Sequence, residues 1–213
     1  HILNVSDPTG RHGGTDMLTG HVWNLDTGAW ERTANKRAAG GASAGGACFD
    51  PTTGKGFAML HASSTAKSQL NVYTPGTKTW STTTATAAID LPIEHGGLRA
   101  HPPSGLLLSF CPETSGGGAS FAGVRHRIYA VDAAAAAAGS HTWQVLTVSA
   151  SSWPLRIDDA ITTIGWAYCP RNGCYYAING RDGSTTLWKL APPTGASSQA
   201  QYLSGTWLVT TET

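Results

Sequence analysis

Short apolar runs alternate with turn residues along the chain, and the runs are too brief and too often interrupted for amphipathic helices. Three segments, 48–60, 99–110 and 167–178, repeat one pattern: Pro, two residues, Gly, then an apolar run. Pro51, Pro102 and Pro170 preset φ for a turn, and Gly54, Gly105 and Gly173 supply a positive φ before the chain returns. Each segment predicts a β-hairpin whose second strand is apolar enough to be buried on both faces. An apolar-aromatic strand, a turn and a strand carrying Trp complete each copy. The clearest copies run from Val22 to Trp30 and from Val72 to Trp80, with a spacing of seven from Trp23 to Trp30 and from Tyr73 to Trp80. A third copy starts at Ile128 and resumes at His141, ending on Trp143; a fourth starts at Leu187 and ends on Trp207. The closing Trp residues therefore recur at intervals of 50, 63 and 64. The alanines from Ala133 to Ala138 are too few for a helix stable on its own and are expected as loop.

Two hairpins per copy make four strands, the size of one propeller blade, and the extra length of the later copies falls in loops, where insertions cost little. The expected fold is all-β: a β-propeller of about four four-stranded blades, spanning 1–34, 35–86, 87–150 and 151–213. The first blade is incomplete, since Ile2 to Val5 reads as a second strand, so further chain before His1 or another chain is expected to supply the rest. A β-sandwich or lectin-like repeat is the runner-up. The segments 22–30 and 72–80 resemble the Kelch motif of galactose-oxidase-type propellers, in which an aromatic strand, a short turn and a Trp strand recur about every 50 residues. The resemblance spans nearly the whole chain and departs in one respect. Kelch blades carry Gly-Gly after the second strand, whereas here stand Leu60-His61-Ala62, Phe110-Cys111-Pro112 and Ile178-Asn179-Gly180. Paired glycines instead precede the first strand, at Gly45-Gly46 and Gly96-Gly97. Segments 190–195 and 203–207 are also similar to repeat-rich propeller segments of bacteriophage-encoded proteins.

Lys and Arg number 14 against 13 Asp and Glu, and a net charge of +1 gives no basic groove for nucleic acid. Charged residues are only 13% of the chain while Gly reaches 26 and Trp 8, a balance that suits turns and strands and a surface covered by neighbours. An extracellular or virion-associated location is the expectation. No apolar run approaches the roughly 20 residues of a membrane-spanning helix. Cys48, Cys111, Cys169 and Cys174 are small buried apolar residues, or, for Cys169 and Cys174, a pair facing each other across a hairpin and able to form a disulfide.

Loops joining one blade's last strand to the next blade's first line one face of a propeller. Here they hold Arg37, then Glu94 and His95, then Arg156, Asp158 and Asp159, opposed charges that suit a polar partner or sugar or pair with one another. These six are the candidate binding residues; no catalytic residue, metal ligand or cofactor is assigned. Gly41 to Gly45 matches a nucleophile elbow around Ser43, but that motif needs a helix after it and a strand follows. Asp26 to Trp30 is similar to the Asp box of sialidase-type propellers, with its Trp one position early. Copper radical oxidases share the Kelch-like propeller, yet the eight His are scattered without ligand spacing. Asp158 and Asp159, adjacent on a strand, point to opposite faces and make a poor acid–base pair. Arg125-His126-Arg127 reads as a solvated strand entry, and Asn4-Val5-Ser6 fits a glycosylation sequon. The expected function is a non-catalytic interaction or structural module. It presents propeller loops to a protein or glycan partner in a phage virion or at a cell surface, as a homo-oligomer or within a larger assembly. The alternative is a carbohydrate-acting or oxidase-type propeller enzyme whose remaining residues lie outside this chain.

Overall fold

A computed structural model describes residues 2–6, 17–24, 27–32, 36–37, 44–60, 70–85, 97–112, 126–149, 166–178 and 186–212. Each Pro-x-x-Gly segment closes a hairpin, as expected. Gly54, Gly105 and Gly173 sit at φ 66°, 67° and 68°, and their N–H groups donate to the carbonyls of Asp50, His101 and Cys169 at 3.0, 3.1 and 3.0 Å. Buried Asp50 locks the first turn, its carboxylate accepting from the backbone N–H and the hydroxyl of both Thr52 and Thr53. A Cβ at Gly54 or Gly173 would meet nothing within 4 Å, so only the left-handed backbone opposes a side chain there. Gly54→Ala or Gly173→Ala is expected to cost about 1–2 kcal/mol in urea unfolding. Gly76→Ala, equally uncrowded but outside the positive-φ region, should be close to neutral.

Among the described residues the strands form five sheets, four of them built on antiparallel hairpins and the fifth a two-stranded parallel link. Sheet one comprises β1 (Ile2–Ser6), β2 (Met17–Asn24) and β3 (Ala29–Arg32), with β4 (Lys36–Arg37) also paired to β2. Sheet two follows the order β5 (Ala44–Asp50), β6 (Lys55–Leu60), β7 (Leu70–Thr74), β8 (Thr79–Thr82), and a short β9 (Thr84–Ala85) leaves it. Sheet three takes β10 (Gly97–His101), β11 (Leu106–Pro112) and β12 (His126–Asp132). Helix α1 (Ala133–Ala137) and β13 (Ser140–His141) precede its outer strand β14 (Gln144–Val145). After β15 (Thr147–Ser149), sheet four takes β16 (Trp166–Cys169), β17 (Cys174–Ile178) and β18 (Leu187–Ala191). Helix α2 (Gln199–Ser204) then leads to β19 (Thr206–Glu212), and β15 joins this sheet beside β19.

The strand β1 neighbours β5, and the first strands β5, β10 and β16 of the next three sheets are neighbours in that order. The exits from the sheets sew this stack together. Thr83 N–H donates to Leu70 O and Leu146 N–H to Ile128 O, turning the chain off each outer strand. Then β9 pairs in parallel with β13, and β15 with β19, so the tail of one sheet hydrogen-bonds to the next. The apolar core fills the spaces between sheets. One cluster joins Phe57, Met59 and Val72 of sheet two to Leu107, Tyr129 and Trp143 of sheet three. Another joins Leu106, Leu108 and Ile128 of sheet three to Tyr175, Leu190 and Trp207 of sheet four. Strands β6 and β11 are buried on both faces, as the sequence suggests; in β17, Tyr176 is half-buried.

Two expectations need correction. The alanine run is not loop but helix α1. Asp132 caps it, its Oδ1 accepting from Ala134 N–H at 2.8 Å and Ala135 N–H at 3.2 Å, while Ala133 and Ala136 bury against the core. Capping and packing together stabilise a turn of helix that would not persist alone. The closing Trp residues also differ in setting. Trp30 lies directly across from Trp23 and Trp80 across from Tyr73, with ring centroids 5.2 Å apart in both pairs. The strand opposite Tyr129 instead presents Val145, and the strand opposite Trp188 presents Thr211. Helices α1 and α2 lengthen those connections, and Trp143 and Trp207 are instead drawn into the core between sheets.

Candidate functional site

Helix α1 and the Asp132 cap that starts it form one wall of a cleft between sheets three and four. The cleft has a volume of about 230 Å³. Gln199 and Leu203 of α2 form the other wall, and Ser140, His141 and Gln144 line the space between. Each wall exists for a local reason. Ser198 accepts from Gln201 N–H while Gln201 Oε1 accepts from Ser198 N–H at 3.1 Å, a reciprocal cap that fixes the start of α2. Asp132 commits only Oδ1 to its cap, and Oδ2 has no partner among the described residues. His141 is buried, its Nδ1 in contact with the Thr83 hydroxyl. The volume is below the roughly 300–1,000 Å³ of drug-sized sites, and amide, hydroxyl and carboxylate groups over an apolar wall suit a small polyhydroxylated group.

A second polar cluster lies deeper between the same two sheets. His101 ends β10, fully buried, with Nδ1 2.7 Å from Ser104 Oγ and Nε2 3.4 Å from the carbonyl of Gly173. Rings of Tyr168, Tyr175, Tyr202 and Trp207 surround it at centroid distances of 5.6, 5.9, 5.2 and 5.2 Å. Burial pushes its pKa down to about 4, only partly opposed by the Gly173 carbonyl. The imidazole is therefore neutral at pH 7, with Nε2–H directed at Gly173 O and Nδ1 accepting from Ser104. Tyr175 donates its hydroxyl to Ala100 O at 2.7 Å, and Arg99 donates Nε–H to Trp166 O at 2.6 Å, so three polar bonds cross from sheet three to sheet four beside this histidine. Burial holds the Tyr175 phenol well above its ordinary pKa. These groups fasten sheets together.

Of the six binding candidates, Arg37 lies on β4, its main chain opposite Met17. Glu94, His95, Arg156, Asp158 and Asp159 lie outside the described residues, as do Ser43 and Asp26. Cys169 and Cys174 do face each other in register across their hairpin, and both are free thiols. The cleft groups Asp132, His141 and Gln199 were not among the candidates. Two helix-start signals did stand in the sequence: Asp132 before an alanine run, and Ser198 three residues before Gln201. Among the described residues, no three His, Cys, Asp or Glu side chains gather to hold a metal ion, and no helix is long and apolar enough to cross a membrane. Compared with known proteins, the chain matches no family model, and no curated sequence matches it.

Proposed function

We propose that the four sheets are Kelch-like propeller blades. The chain is then a non-catalytic interaction module that presents its rim loops to a protein or glycan partner at a cell surface or on a virion. One observation carries this reading: the chemically versatile side chains of the interior serve as fasteners. His101 bonds Ser104, His141 contacts Thr83, Asp50 ties its own turn and Asp132 caps α1. The stacking of β5, β10 and β16, the first strands of sheets two, three and four, supports the blade assignment, because a propeller arranges innermost strands around one axis. A rigid stack leaves recognition to its rim, and by sequence position we assign to it Arg37, at the end of β4, together with Glu94, His95, Arg156, Asp158 and Asp159.

A printed glycan array tests the glycan arm. Binding to the best glycan should weaken at least about tenfold, or about 1.4 kcal/mol, when Arg37, Glu94 and Asp158 are all replaced by Ala. If these side chains serve binding rather than packing, the unfolding free energy should move by less than about 0.5 kcal/mol for each substitution. Binding indifferent to those changes would contradict the loop assignment. Hydrolysis or oxidation of the bound glycan would favour the enzyme alternative.

A further inference from the structure

Cys169 and Cys174 flank the turn Pro170-Arg171-Asn172-Gly173 and stand directly opposite each other in the register of β16 and β17. Residues opposed in an antiparallel pair have Cα atoms roughly 4.5–5.5 Å apart. That separation falls inside the roughly 4.4–6.8 Å that a disulfide requires. Opposed side chains also leave the sheet on the same side. Tyr175 and Ala177 pack in the cluster shared with sheet three, so alternation along β17 turns Cys174, and with it Cys169, to the other face. A bond between the two sulfurs therefore does not require the junction with sheet three to open.

The turn holds both cysteines in place. Gly173 N–H donates to Cys169 O at 3.0 Å, and its left-handed backbone returns the chain in register. The Asn172 side chain clamps the start of β17: Oδ1 accepts from Cys174 N–H at 3.2 Å and Nδ2 donates to the Tyr176 hydroxyl at 2.7 Å. The Cys174 thiol has only a weak bond to give up, its donation to Asn172 O at 3.4 Å. The two thiols differ in access. Cys169 is half-buried, whereas Cys174 is buried, and that burial is the main cause of its raised pKa.

We propose that Cys169 and Cys174 form a reversible oxidation site, in which a disulfide oxidant such as oxidised glutathione joins the two sulfurs and staples the β16–β17 hairpin. Cys169, the more accessible of the two, attacks one sulfur of the oxidant as the thiolate and releases the first glutathione. The Cys174 sulfur then attacks the Cys169 sulfur of the mixed disulfide and releases the second. One S–S bond breaks in the oxidant and one forms in the protein. The cysteines give up two protons and two electrons, and the two glutathione thiols carry them away. The staple bears on a junction as well as on a turn, because the Gly173 carbonyl inside the closed loop is the partner of His101 Nε2 at 3.4 Å. The inference needs neither the blade reading nor a glycan.

Trypsin reads the link directly, because Arg171 lies between the two cysteines. The native chain is treated with oxidised glutathione, its remaining thiols are alkylated, and it is unfolded and digested without reduction. The expected product is peptide 157–171 joined to peptide 172–181, separating again on reduction. The oxidised chain should melt about 4–8 °C above the reduced one. Cys174→Ser should instead keep one glutathione on Cys169. Glutathione retained on Cys169 of the wild type would overturn the proposal, as would links that run only to Cys48, to Cys111 or between chains. A linked pair with an unchanged or lower melting temperature would overturn it too, because the native turn would then have to distort to close the bond. A Cys174→Ser chain that takes up no glutathione would overturn the assigned first step.

Discussion

Trp207→Ala is expected to destabilise the chain by about 3–5 kcal/mol in urea unfolding, against about 1–2 kcal/mol for Trp80→Ala. Both residues close a repeat copy in the sequence, so pattern alone predicts equal costs. Their surroundings differ. Trp207 is fully buried between sheets three and four, its Nε1–H donates to Tyr202 O at 3.0 Å, and its ring lies 5.2 Å from that of His101. Truncation would leave a large cavity and remove the donor to a buried carbonyl. Trp80 is half-buried, and truncation removes its ring from beside Tyr73 without opening a fully buried site. Equal losses for the two variants would show that Trp207 does not wedge between sheets.

Acid should weaken the fold through His101. Its folded pKa is lowered to about 4 from an ordinary 6.5, so between those values the unfolded chain binds a proton that the folded chain does not. The stabilisation from this group is complete above about pH 6.5, declines as the pH falls, and is gone near pH 4. A shift of that size corresponds to roughly 3 kcal/mol across the window. The cause is the aromatic enclosure, which removes water from the ring and offers the imidazolium little beyond the Gly173 carbonyl. Unfolding free energy measured from pH 4 to 7 should therefore rise more steeply for the wild type than for His101→Phe. Parallel curves would mean that the imidazole is hydrated in the native state.

The strand pattern and hairpin turns were legible because they depend on local chemistry. A proline at a turn's start and a glycine at its left-handed position need no tertiary partner, and all three Pro-x-x-Gly hairpins form. The packing of α1 was not legible. Five alanines carry no helical stripe, and their helix depends on the Asp132 carboxylate and on a hydrophobic cluster assembled from distant strands. The equivalence of the Trp residues misled for a related reason. Spacing locates Trp143 and Trp207 in their copies, but the helices inserted before them change which neighbour they meet. The cleft combines groups more than 60 positions apart, Asp132 and Gln199, so its walls are invisible to any local motif. His101 likewise reads as an unremarkable strand residue, and only the neighbouring sheet encloses it.

Side-chain nuclear Overhauser contacts test the successive stacking of the sheets most directly. The account predicts contacts between the His101 and Trp207 rings, between Tyr129 and the cluster of Phe57 and Val72, and between Lys78 and Glu31, one for each junction. Intact cross-strand contacts within every sheet, with those three sets missing, would contradict it.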